Sequence, residues 1–511
     1  MMRVCRSTVR QRQAGPCPTI DLVTTASVAP PARLTVPRAS SLDPTDRLAA
    51  RLREIRDQLQ IPAVFPPPVV AEAVSAAATV SLPEADLTAL PFVTIDPAGS
   101  TDLDQALHIE RAADGFRVRY AIADVPAFVR VGGAVDIEAR SRGQTLYAPD
   151  GRVPLHPTVL SEGAASLLAD QVRAAFVWTF ELDARGVVAS TTLVRARVRS
   201  VRKYSYDEAQ HEIDTGTAPE SLALLPLVGS ARVALERERG GASLDRPEEE
   251  VTVVDGVYRL ERRTPLPVES FNAQLSLMTG IAAAGIMLEG RIGILRTMPV
   301  LTTDAFERFR SRVAAIGCPW PETQGYGEYL RALDRDSPAG LAALQAAGSL
   351  FRGAGYTAFD GEAPSNPIQS AIGAPYAHTT APLRRLVDRF VLVACEALAA
   401  GAPVPGWVRD ALPTLPAIMA RSASLAAELD RACVDAIEAA LLVDRVGDDF
   451  GVTVLTQKPG GGTVQLTDPF IVAPVVGDVR AGHRIRVTLG RADIETGTVE
   501  FIAPGGSGGI W

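Results

Sequence analysis

Histidine and cysteine are scarce in this 511-residue chain, five of each. The cysteines (Cys5, Cys17, Cys318, Cys395, Cys433) are odd in number, widely spaced and never form a CxxC pair beside histidines. That argues against a disulfide framework and a zinc knuckle, and leaves Cys395 and Cys433 as core residues. The histidines (His108, His156, His211, His378, His483) are scattered and offer no metal centre of their own. No uninterrupted apolar run reaches the roughly 18 to 20 residues of a membrane span, so no membrane is expected. Bulk positive charge is missing too, the net charge being −8. A simple nucleic-acid coat is thereby disfavoured, while a local basic groove in an otherwise acidic protein remains open.

What is present starts with carboxylates. The stretch Thr94-Ile95-Asp96-Pro97-Ala98-Gly99-Ser100-Thr101-Asp102-Leu103-Asp104-Gln105-Ala106-Leu107 places three acids within nine positions, entered from an apolar strand and bent by Pro97 and Gly99. Crowded carboxylates repel one another unless they are protonated, solvated or bridged by a divalent cation. Oxygen-only ligands favour magnesium, or manganese, over zinc. Asp and Gly are also ordinary turn residues, so spacing alone leaves a solvated loop as the alternative.

The length predicts a large central domain with attachments. Residues 1–43, rich in Arg, Pro, Ser and Thr, are expected to be a disordered leader or a mis-assigned start. Residues 44–90 read as a helical lead-in, with Leu48, Leu52, Ile55 and Leu59 at helical spacing. Residues 91–447 alternate β-rich runs, punctuated by 112–115, 183–186 and Asp255-Gly256, with apolar helices over 268–288, 302–316, 338–348 and 394–446. Residues 448–511 hold five short strands divided by glycine turns, which suggests a small OB-type barrel. The fold class is α+β, built on antiparallel pairs.

Two further stretches carry charge. Arg195, Arg197 and Arg199 fall on one face of an alternating strand, either a solvated face or a phosphate-lining wall, and Tyr204 and Tyr206 follow as stacking surfaces. In Tyr376-Ala377-His378-Thr379-Thr380-Ala381-Pro382-Leu383-Arg384-Arg385-Leu386-Val387-Asp388-Arg389, Pro382 suits the first turn of a helix capped by Thr379 or Thr380. Arg384 or Arg385 would then stand near a helix N-terminus, a natural seat for phosphate.

Together, TIDPAGSTDLDQAL and YAHTTAPLRRLVD, about 280 residues apart, resemble the ribonuclease II and ribonuclease R family, whose catalytic unit is the RNB domain. Tyr120 to Val125, Tyr147 to Pro154, Leu160-Ser161-Glu162 and Ser166-Leu167-Leu168 look like further motifs in the family's order. The resemblance covers roughly 90–446. It implies a magnesium-dependent, processive hydrolase that degrades single-stranded RNA from the 3′ end to 5′-mononucleotides. The cysteines suit a reducing cytoplasm, and a monomer without a nucleotide cofactor is expected. Residue by residue, Asp96, Asp102 and Asp104 match three of the four metal-site aspartates, with Asp104 as the indispensable acid. Arg384 matches the catalytic arginine, Tyr147 and Tyr206 match aromatic residues at the substrate's end, and Glu269 falls where an acid contacts the terminal nucleotide. Arg195, Arg197, Arg199 and Arg385 are assigned to the RNA backbone.

The chain departs from the pattern at Gln105, which stands in place of the fourth aspartate and would ligate through its amide oxygen. Ala381 and Leu386 also differ, no cold-shock-like barrels precede the catalytic region, and no lysine-rich tail follows the abbreviated barrel. Weaker binding and poor action on duplexes are expected. A catalytically weakened RNA-binding protein is the second expectation, and hydrolysis of DNA by the same site a third.

Overall fold

The computed structural model describes residues 8–9, 44–112, 114–241, 248–254, 257–263, 265–299, 302–335, 337–350 and 353–505. Of the expected leader only β1 (Thr8–Val9) is described, and the rest lies outside the described residues. The lead-in forms two helices, α1 (Pro44–Gln58) and α2 (Pro67–Thr79), with Leu48, Leu52 and Ile55 buried at the spacing the sequence predicts.

The central region opens with β2 (Ala85–Asp86), β3 (Phe92–Ile95), β4 (Gln105–Ala112) and β5 (Gly115–Ala123). Then come α3 (Ala134–Arg142), the short hairpin β6 (Leu146–Ala148) and β7 (Gly151–Val153), and the long strands β8 (Val172–Asp183) and β9 (Val188–Tyr204). The sheet runs β2-β9-β3-β4-β5-β8, and β8 also pairs with β9, so five strands close on themselves and β2 is appended. Closure rests on the length of β9: Val188 to Arg199 pair with β8, and Ser200 to Tyr204 with β3. Most pairs are antiparallel as expected, while the β3–β9 and β2–β9 pairs are parallel, because the acidic loop and the strands after it return β9 in the same direction as β3.

Next are α4 (Tyr206–Thr215), α5 (Glu220–Glu238), the hairpin of β10 (Glu248–Val254) with β11 (Val257–Arg263), α6 (Pro267–Glu289) and β12 (Ile292–Thr297). β1 lies parallel to β10. The expected turn residues 113 and 255–256 lie outside the described residues, but the strands beside them pair, Ala112 with Gly115 and Val254 with Val257. α7 (Thr303–Ile316), α8 (Tyr326–Ala332) and α9 (Pro338–Ala347) precede β13 (Gly355–Asp360), β14 (Ile368–Gln369) and β15 (Ala374–Pro375). Finally α10 (Leu386–Ala399), α11 (Gly406–Ala411) and α12 (Leu415–Leu442) lead to a closed barrel. Its strands are β16 (Asp449–Lys458), β17 (Gly461–Gln465), β18 (Val472–Val476), β19 (Arg484–Asp493) and β20 (Thr498–Ile502).

The helix α6 is long and apolar enough to cross a membrane. Here it packs on α5 and α10, and Leu275, Met278, Ala283, Ala284 and Met287 join the main core beneath the closed sheet. A second core fuses α1, α12, Leu146 and Ala148 of β6, and the barrel interior. β6 is therefore anchored from behind by α12, with Leu146 and Ala148 buried and Tyr147 between them on the opposite face.

Candidate active site

The acidic loop spans the end of β3 to the start of β4, and its shape is set by hydrogen bonds at both ends. The Asp96 backbone N–H donates to the Tyr204 carbonyl at 3.0 Å. Lys203 Nζ donates to the carbonyls of Ala98 (2.8 Å) and Ser100 (2.6 Å), closing the loop under its own carboxylates. Ser166 Oγ donates to the Thr101 carbonyl (2.7 Å) and accepts from the Leu103 N–H (2.9 Å). Asp102 ion-pairs with Arg152, whose other nitrogen reaches Thr101 Oγ1 (2.7 Å) and Glu162 (2.9 Å). One guanidinium thus separates two carboxylates.

The turn 381–385 meets this loop. Asp388 organises it, accepting from the Ala381 N–H (2.7 Å) and from Arg385 Nε and Nη2 (2.9 and 2.7 Å). The Leu383 N–H donates to Asp104 Oδ1 at 2.8 Å, and Arg384 Nε lies 3.5 Å from Asp104 Oδ2. Asp104 is buried, whereas the Arg384 side chain is 37% exposed. Burial drives the Asp104 carboxyl well above the usual carboxylate range, against the pull of Arg384 and the Leu383 N–H, and the nearby Asp102 charge adds to the rise.

Tyr147 reaches the same place through backbone pairing. The Thr145 N–H donates to the Arg384 carbonyl (2.9 Å), the Leu386 N–H to the Gly143 carbonyl (3.0 Å), and Gln144 bridges to Arg385. Gly143 permits this approach: its φ is +73°, and an added Cβ would stand 2.7 Å from Ser422 of α12. Burial raises the Tyr147 phenol pKa, with Arg384 opposing and Asp102 and Asp104 assisting, which places all four groups within electrostatic reach.

The fold thus brings together Asp102, Asp104, Arg384 and Tyr147, with Asp96 on the same loop. Tyr206 begins α4 behind a Ser205 capping box and is half-buried beside Tyr120. Other assignments are corrected. The helix after the turn starts at Leu386, so Pro382 is not in its first turn, and Arg385 rather than a threonine occupies the cap position. Arg385 is spent on Asp388. Gln105 is not a ligand in this arrangement: its Oε1 accepts from Tyr120 (2.6 Å) and Ser276 (3.4 Å), and its Nε2 donates to the Thr380 carbonyl (2.6 Å). Glu269 is bound by Arg263 at 2.6 and 2.5 Å and accepts the Leu266 N–H, so it braces the start of α6. The arginine strip is largely paired, Arg195 with Asp124 (2.6 Å) and Arg197 with Asp86 (3.0 Å), leaving Arg199 exposed. Sequence reasoning missed Arg152, Glu162, Lys203 and Asp388, although Arg152, Glu162 and Asp388 lie inside motifs it quoted.

Among the described residues no three His, Cys, Asp or Glu side chains stand in a ready metal-binding group. The donor chemistry nonetheless fits a hard divalent cation: three carboxylates on one loop, one of them buried with its carboxyl pKa raised by that burial.

A loop of clustered carboxylates thus faces a guanidinium, with an aromatic ring beside them. Comparison with known proteins gives the class. Residues 84–400 match the RNB domain, and residues 448–503 match the RNase II-type exonuclease C-terminal S1 domain. The chain belongs to the RNB exoribonuclease family, whose members are generally metal-dependent. It is 28% identical over 328 residues to a probable exosome complex exonuclease of Caenorhabditis elegans, covering 61% of this chain and 34% of that one. Similarity to Escherichia coli ribonuclease R is 28% over 324 residues, covering 59% and 39%. The matches thus span little more than a third of these relatives' lengths. The fold resembles Mycoplasma genitalium RNase R in complex with ribose-methylated single-stranded RNA, with a TM-score of 0.80 at 19% identity over 90% of this chain and 78% of that one.

Proposed function

We propose that this chain is a metal-dependent exoribonuclease that hydrolyses single-stranded RNA processively from the 3′ end to 5′-mononucleotides, acting in the cytoplasm. The observation that carries the reading is the approach of Arg384 to Asp104 at 3.5 Å, with Tyr147 held beside them by the backbone of Arg384 itself. The RNA-bound state of the Mycoplasma genitalium enzyme supports RNA as the substrate class.

Asp96, Asp102 and Asp104 would hold magnesium, with manganese as the alternative. When bound, such an ion lowers the pKa of a water ligand and offsets charge on the phosphate. Arg384 stays charged at any working pH and is partly exposed, so it neutralises charge developing on the scissile phosphate. The Tyr147 ring stacks on the terminal base, and stacking accepts any base, so little sequence preference follows. Arg152, ion-paired to both, keeps Asp102 and Glu162 from repelling each other.

A single-stranded oligoribonucleotide labelled in turn at each end, with Asp104→Asn as control, tests the reading. Mononucleotides released from the 3′ end by the wild type alone are expected; internal cleavage, or equal activity in the variant, would contradict it. A second reading is favoured by Gln105, whose oxygen is committed to Tyr120 and Ser276: a weakened enzyme that mainly binds RNA. Tight oligonucleotide binding with negligible turnover in excess manganese would select it.

A further inference from the structure

Beside the 381–385 turn, β12 and β13 contribute a group of side chains that the proposed chemistry does not use. Arg296 and Tyr356 are register partners across this pair, and the Arg296 guanidinium lies over the Tyr356 ring, 4.7 Å from its centroid. The Tyr356 hydroxyl is 2.6 Å from His378 Nδ1. The Tyr356 and Tyr376 rings stand roughly edge-on to the His378 ring, with centroids 5.6 and 5.5 Å away.

Charge is unbalanced here. Arg385, Arg296 and Arg384 all act on the same imidazole. Arg385 is neutralised by Asp388 and Arg384 faces Asp104. Arg296 is half-buried and makes no ion pair with a carboxylate among the described residues; its recorded side-chain contact is the tyrosine face. A half-desolvated guanidinium with only an aromatic partner retains unused N–H donors, and a planar oxyanion acceptor matches them well.

Burial, reinforced by the three arginines, pushes the His378 pKa well below its usual range, and burial pushes the Tyr356 hydroxyl up to about 12. The imidazole is therefore neutral and the phenol protonated. With the phenol O–H as the donor to Nδ1, the imidazole proton sits on Nε2 of a ring on which the Arg296 charge acts.

We propose that Arg296, with the Nε2–H of His378, forms a second phosphate-binding position next to the one faced by Arg384. The ligand chemistry is a phosphate oxyanion, either the internucleotide phosphate beside the scissile one or the 5′-phosphate of the released nucleotide. That the strand is RNA rests on the functional reading above; the anion site does not.

Equilibrium binding to Asp104→Asn protein separates the two sources, with and without Arg296→Gln added. The probes are a fluorescent oligouridylate at several salt concentrations and 5′-UMP by calorimetry. Loss of the Arg296 contact is expected to weaken oligouridylate about tenfold and to make the slope of log K against log salt shallower by about 0.7. Parallel weakening of 5′-UMP assigns the position to the product's phosphate, and unchanged 5′-UMP assigns it to the internucleotide phosphate. Unchanged affinity for both probes, with an unchanged salt slope, would overturn the proposal. Arg296→Lys should restore the slope and part of the affinity. Should Arg296→Gln not fold, Arg296→Lys and His378→Leu carry the test, each expected to weaken at least one probe about threefold; no change in either overturns it. Because binding is read without turnover, a wild type that hydrolyses nothing refutes the enzymatic reading and leaves this site standing.

Discussion

Two sets of aspartate–arginine pairs flank the stretch 381–389, and they are built to opposite ends. On one side Asp136 ion-pairs with Arg389, both side chains 2% exposed. Asp136 also accepts from Arg140 Nε (3.0 Å) and from the Gly132 N–H (2.9 Å), while Arg389 lies against the rings of Phe390 and Trp407. On the other side Asp104 faces Arg384 at 3.5 Å, beyond good hydrogen-bond length, with the arginine partly in solvent. The closed pair spends its charge holding α3 to α10. The open pair leaves the Arg384 guanidinium partly in solvent, and the neighbouring Asp388–Arg385 clamp fixes the turn that carries it.

Breaking the closed pair should produce the largest effect. Asp136→Asn leaves Arg389 buried without a counter-charge, and urea unfolding is expected to show a loss of about 3 to 5 kcal/mol. If stability moved by less than the error of extrapolation, the pair would not be the brace described here. Breaking the open pair should do the reverse. Asp104→Asn is expected to lower single-turnover cleavage at least about 100-fold without lowering the unfolding midpoint. The sign follows from linkage: a carboxyl whose folded pKa is raised binds its proton more tightly in the folded state, so its charged form weakens the fold at neutral pH. Asparagine removes that penalty.

The comparison sharpens at His156, which is buried beside Arg389 and Asp136, with the Pro382 backbone as its hydrogen-bonding partner. Burial and the Arg389 charge push its pKa down to about 3. The unfolded chain therefore takes up a proton near pH 6.5 that the folded chain refuses, and stability should fall by about 1.4 kcal/mol per pH unit as pH drops below about 6.5. His156→Gln should flatten that limb in pH-dependent melts; an unchanged slope would rule the histidine out as its source. The smallest effect belongs to Gln105→Asp. The shorter acid cannot donate to the Thr380 carbonyl, so a loss of about 1 kcal/mol is expected with no gain in magnesium affinity by titration calorimetry. Tighter magnesium binding in that variant would reopen the position as a ligand.

Much of this architecture was legible in advance. α1, α2, α6, α7, α9 and the barrel strands follow from local apolar period and turn residues, which act within a few positions. α3, α4 and α5 were not read, and α5 carries Pro226 inside it, a residue that ordinarily ends a helix. At the site, the fold brings Asp104, Arg384, Tyr147 and Asp102 within electrostatic reach of one another, as the quoted motifs required, with Asp96 on the same loop. Arg385, Glu269, Gln105, Arg195 and Arg197 were assigned to ligands, whereas in the folded chain each is engaged by a partner within the protein.

The errors share one cause. An isolated sequence states that an arginine is charged and on which face of a strand it falls, and that sufficed to place acids on one loop and apolar residues in helices. Which carboxylate a given guanidinium meets is decided by approaches of a few ångströms between segments such as 104 and 384, or 136 and 389. Coulomb energy and desolvation change steeply over that range, so the division between charges spent on the scaffold and charges kept for a ligand emerged only from the folded chain.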